Sequence, residues 1–224
     1  MKVNRKWMAL GVLGLACVLA PAASAQTNGT VVLSGQVNRA VKLTSGGAAT
    51  LAGNLGGGIT TSSASDAALA TVVDLGDVGP ANSNAAVCLT QPLFLRANGA
   101  STLSAAVTAS AFTVGATNIS KSDIGIGFTN LAAGGANASV ATSTVQGSYG
   151  TDPCVGAFGQ TLNDLAVVTP GTAVLVSTGA ISQRGNFVSA SNRAQLDMKV
   201  AVVPGAFAAP DTFSATVTLT LTSP

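Results

Sequence analysis

Ser120, Lys121, Ser122 and Asp123 bring a hydroxyl, an amine and a carboxylate into four consecutive residues. Those are the types from which a Ser–Lys nucleophile is assembled. A polar turn ahead of the apolar run at Ile124 accounts for the same residues without chemistry. The chain has no His, and its eight acidic residues are all Asp. The commonest general base is therefore missing, leaving Asp, Lys and the single Tyr149 for proton transfer. No GxSxG, SxxK or HExxH motif and no phosphate-binding glycine loop is present. Asp74 and Asp77 in "DLGDVGPANSN" are the nearest approach to a cation loop. Calcium wants six to eight oxygens, and this stretch reads as a strand end followed by a turn. No catalytic residue, metal or cofactor is expected.

Sugar-binding modules offer aromatic platforms, and the only Trp, Trp7, falls in the leader described below. The seven Phe are expected mostly in the core. Asn28, Asn118 and Asn137 match the glycosylation sequon, as chance allows in a chain rich in Asn, Ser and Thr. Cys88 and Cys154 remain once the leader is set aside. In an exported chain an even pair reads as one disulfide, the other reading being two buried free thiols.

The leader is residues 1–25. Lys2, Arg5 and Lys6 precede the apolar "MALGVLGLACVLA", and Ala23 and Ala25 occupy the small positions of a cleavage site before Gln26. That is the layout of a secretory signal peptide, with lipid attachment at Cys17 as the alternative. It predicts export to the cell surface or beyond, through a periplasm. The remaining 26–224 holds seven basic residues against eight Asp, a net charge of −1, so nucleic acid is not an expected partner. No later apolar run is long enough to span a bilayer as a helix.

The elements that position these groups are strands. At residues 213–221, Phe213, Ala215, Val217, Leu219 and Leu221 alternate with Ser or Thr, a period of two. Residues 29–37 repeat the pattern with Val31, Leu33 and Val37, and residues 38–44 continue it with Val41 and Leu43. Further runs at 68–76, 85–97, 101–114, 124–131, 138–145, 172–181 and 194–203 are separated by Gly, Pro and Asn turns. Residues 45–66 read as a Gly/Ser-rich surface loop. The expectation is an all-β protein: a single elaborated Ig-like β-sandwich over 26–224 with long Gly/Ser-rich loops.

The leader, "GTVVLSGQV", the paired cysteines and the hydroxyl-rich last strand resemble secreted bacterial fimbrial and spore-coat-U-like proteins. The resemblance is concentrated in residues 29–43 and 181–221, which include "ISQRGNFVSASNRAQLDMKVAV". It implies an Ig-like sandwich and polymerisation by lending a strand to an incomplete neighbour. The chain departs from that pattern in having Val41 where an early cysteine is usual and Ser223–Pro224 in place of a near-terminal aromatic. Thr30, Val31, Leu33 and Val37 on one strand, and Phe213, Val217, Leu219 and Leu221 on the other, are the expected assembly positions. The terminal strand is expected inside a sheet, with residues 30–37 beside it or exchanged between subunits. The function expected is that of an exported, non-enzymatic subunit of a surface filament or coat, with self-association and an assembly chaperone as the expected partners. The alternative is a monomeric secreted binding module or adhesin whose long loops meet a host or surface ligand.

Overall fold

The computed structural model describes residues 34–53, 56–76, 87–111, 119–167, 173–182, 186–202 and 212–224. The chain forms two compact units, Met1–Val37 and Asn38–Pro224. Of the first, only residues 34–37 are described; they form no strand and all are exposed.

The second unit is built from antiparallel strands, and the all-β expectation holds. In chain order they are β1 (Val41–Ser45), β2 (Thr50–Ala52), β3 (Gly58–Thr61), β4 (Val72–Asp74), β5 (Val87–Ala97) and β6 (Ser101–Ala111). Then come β7 (Ile124–Ala133), β8 (Thr144–Val145), the six-residue helix α1 (Leu162–Val167), β9 (Ala173–Thr178), β10 (Ala194–Val202) and β11 (Ser214–Thr222). A five-stranded sheet runs β1-β5-β10-β7 with β2 also on β5. A four-stranded sheet runs β11-β6-β9-β8, and β3 pairs β4 in a separate ribbon.

The two larger sheets share one core. Leu93 and Leu95 of β5, Ile124, Ile126 and Phe128 of β7, and Leu196 of β10 meet Leu103 and Ala105 of β6. Each set alternates along its strand, so a period of two puts it on the inward face. The turn at Asn98 and Gly99 carries the chain from one sheet to the other.

The outward face of the five-stranded sheet is covered at both ends, which is why β5 stops alternating. From Leu93 to Ala97 every residue is buried. At one end residues 66 and 67 bind the tail of β1, Asp66 N–H donating to Ser45 O and Ser45 N–H to Ala67 O. At the other end residues 147–161 cross β7, and here "IGIGF" becomes intelligible. Ile124, Ile126 and Phe128 fill the core, while a Cβ on Gly125 would overlap the Phe158 ring and one on Gly127 the Thr151 carbonyl. Glycine at both positions lets the crossing chain lie directly on the strand.

Three sequence expectations are corrected. Residues 45–66 contain β2 and β3, since Thr50–Ala52 finds backbone partners on β5. Residues 138–145 yield only β8 and a bridge between Ala138 and Ser182. Helix α1 was not anticipated, although Thr161 and Asp164 cap it: Asp164 Oδ2 accepts from Thr161 N–H at 2.7 Å and from its hydroxyl at 2.8 Å. Leu162 and Leu165 then reach the core.

Candidate functional site

The residues whose types suggested chemistry are occupied by local structure. Ser120 accepts from Ser122 N–H, and Asp123 Oδ2 accepts from Ser120 N–H at 2.7 Å and from its hydroxyl at 3.0 Å. This is a capping box on a 3-10 turn at Lys121–Asp123. Asp74 accepts from Gly76 N–H at 2.9 Å, closing a turn; Asp77 lies outside the described residues. Among the described residues no three of His, Cys, Asp and Glu come together as metal ligands, and no helix is long and apolar enough to cross a membrane. Partial burial, and next the Asp164 carboxylate, push the Tyr149 phenol above its ordinary value.

Cys88 and Cys154 are joined in a disulfide with a Cα–Cα distance of 5.5 Å. Cys88 sits on the outward face of β5, opposite Ala52 on β2 and Ala201 on β10. Gly125 on β7 is next in that row. The small residues clear a path for the crossing segment, and the bridge pins it to the sheet.

The arrangement with most capacity for interaction is the neighbouring pair of strands β1 and β11. Among the described residues β11 pairs only with β6, and β1 only with β5. Residues 30–33, from the segment expected beside the terminal strand, lie outside the described residues. The inward residues of both strands remain half-buried at the margin of the core: Val41 and Leu43 on β1, and Val217, Leu219 and Leu221 on β11. Phe213, just ahead of β11, is half-buried too. The register places Leu221 opposite Leu103, Leu219 opposite Ala105 and Val217 opposite Val107, so these side chains continue the core layer of β6 outward. Their outward neighbours Thr216, Thr218, Thr220 and Thr222 are exposed.

β1 and β11 lie close together. Their ends are tied where the chain enters the unit. The Arg39 guanidinium donates to the Pro224 carbonyl, and the Asn98 side chain donates to Asn38 O at 2.8 Å and accepts from Ala40 N–H at 2.7 Å. Of the expected assembly positions, Val217, Leu219 and Leu221 thus share one strand. Thr30, Val31 and Leu33 lie outside the described residues, and Val37 is 88% exposed. The alternation of Val41 and Leu43 is legible in the sequence and they do lie on a strand, but nothing in their spacing says that this strand would lie beside β11.

β11 carries no charge and no proline from Ser214 to Thr222. Monomeric proteins usually blunt a sheet edge with Lys, Pro or a bulge. Its one irregularity is a register shift between Thr216 and Val217. β11 is nine residues long, on the order of 30 Å.

Compared with protein-family models, with curated proteins and with solved structures, the chain matches none.

Proposed function

We propose that this chain is an exported, non-enzymatic structural protein, an Ig-like sandwich that serves as a subunit of a bacterial surface filament or coat and assembles through β-strand contacts. The observation that carries the reading is the uncharged strand β11 lying close to β1, with half-buried apolar side chains on both and, among the described residues, β6 alone paired to β11. A strand lent by a neighbouring subunit there finishes burying Val217, Leu219 and Leu221. Full burial of such a side chain is worth about 1.5–3 kcal/mol, so completing three half-buried ones contributes a few kcal/mol per contact.

The strand added has the alternation of residues 30–37. Eight residues reach about 27 Å, close to the length of β11. Val31, Leu33 and Val37 would take inward positions, with Gly35 leaving one place unfilled. Secretion by the leader brings the subunits together outside the cytoplasm, where the disulfide persists.

The test is assembly of the mature protein and of a variant lacking residues 26–37, read by sedimentation and electron microscopy. Filaments or large oligomers from the first and monomers from the second are expected. Polymers from the truncated protein would dispose of strand donation by this segment, and a monomeric mature protein that captures glycans would favour the binding-module alternative.

A further inference from the structure

A group of charged side chains on the outward face of the five-stranded sheet has no part in that assembly. Lys42 on β1 pairs directly with Arg96 on β5. Arg193 immediately precedes Ala194, which pairs with Leu95. Three cations therefore stand side by side across neighbouring strands, an arrangement in which like charges repel. Among the described residues one carboxylate answers them. Asp66 reaches Arg96 Nη2 at 2.8 Å and Arg193 Nη1 at 3.1 Å.

The guanidinium groups keep unused donors. Arg96 is fully buried; its Nη2 also donates to Val188 O at 3.4 Å, but Nε and Nη1 have no partner among the described residues. Arg193 lies 3.5 Å over the Phe94 ring, and its Nε is likewise buried and unpartnered. A guanidinium donates and never accepts, so these N–H groups call for an acceptor. The cluster also carries surplus positive charge, which a water molecule cannot neutralise.

We propose that this arginine cluster binds a small monovalent anion of the chloride class, held by the unpartnered N–H groups of Arg96 and Arg193. Size follows from burial: Arg96 is 0% exposed, so the side chains over it must give way to any ion, and a small one asks least of them. The charge requirement follows from one carboxylate facing three cations. Phe94 provides the apolar wall that strengthens the attraction by excluding water.

Melting of the mature protein in sodium chloride and in sodium gluconate at matched ionic strength tests the site, because an ion that binds only the folded state raises the melting temperature with mass action. A chloride-specific rise that saturates is expected for the wild type and for Lys121→Gln, a cation removed elsewhere, and not for Arg193→Gln. Should Arg193→Gln fail to fold, a bromide-soaked crystal of the wild type supplies the second readout: an anomalous peak beside Arg96 Nε or Nη1 supports the proposal. No saturable difference between the two salts, an undiminished chloride effect in folded Arg193→Gln, or only water beside Arg96 would overturn it.

Discussion

Replacing both Cys88 and Cys154 by Ser removes the one covalent tie between β5 and the segment crossing its sheet. The bridge closes a loop with a sequence separation of 66 residues. In the chain-entropy treatment a loop of that length is worth about 4 kcal/mol. For a domain approaching 200 residues, each kcal/mol moves the melting temperature by about 2–4 °C, so a fall of roughly 8–16 °C is expected. The native fold should survive the loss. The crossing segment keeps the bond from Ile126 N–H to Gln160 O at 2.9 Å, the bridge between Gly125 and Thr161, and the Phe158 ring on Gly125. Circular dichroism would accordingly show unchanged β content below the transition and an earlier melt, and wild-type protein in reductant should melt with the variant. A melt within about 2 °C of the wild type would refute the reasoning, since a tie of this loop length cannot be nearly silent in that treatment. A variant without native β signal would refute it from the other side, by making the bridge a condition for building the sheet.

Three further outcomes follow from particular contacts. Gly127→Ala, whose Cβ would meet the Thr151 backbone, should lower stability by about 1–3 kcal/mol in denaturant titrations, whereas Gly156→Ala in the same crossing segment meets nothing within 4 Å and should be near neutral. Tyr149 is the only tyrosine, so ultraviolet difference absorbance reports its ionisation alone; the midpoint should lie above the ordinary value near 10, and Asp164→Asn should bring it down. Asp66→Asn should cost about 3 kcal/mol, the low end for breaking a buried pair, because Arg96 is fully buried while Asp66 is 40% exposed. Burial pushes the Asp66 carboxyl up, but hydrogen bonding and charge from Arg96, the charge of Arg193 and the Thr44 hydroxyl outweigh it and leave the carboxyl below its ordinary value. Its contribution is therefore present above the unfolded value near 3.9 and is lost as pH falls through the lower folded one, so the acid melt of the wild type, and not of Asp66→Asn, should carry this loss.

The alternation of residues 213–221 made β11 legible, and strand-like runs also found β1, β5, β6, β7, β9 and β10; in β5, β6, β7 and β10 one face lies in the core. What escaped were features decided by partners distant in sequence. Thr50–Ala52 is too short to show a period and is a strand because β5 offers it an edge. Gly125 and Gly127 read as gaps in a strand until residues 147–161 are seen lying on them. Helix α1 had a readable cap in Thr161 and Asp164, but six residues leave almost no helical period to detect. The arginine cluster was equally invisible, since Asp66, Arg96 and Arg193 are brought together only by the turn over β5.

Amide hydrogen exchange across residues 214–222, compared between monomeric and assembled protein, reaches the heart of the account. If subunits join by adding a strand to β11, the amides of residues 214–222 should become better protected on assembly than in the monomer, together with those of residues 30–37. Assembled protein in which residues 214–222 exchange as they do in the monomer, with protection gained elsewhere, would contradict it.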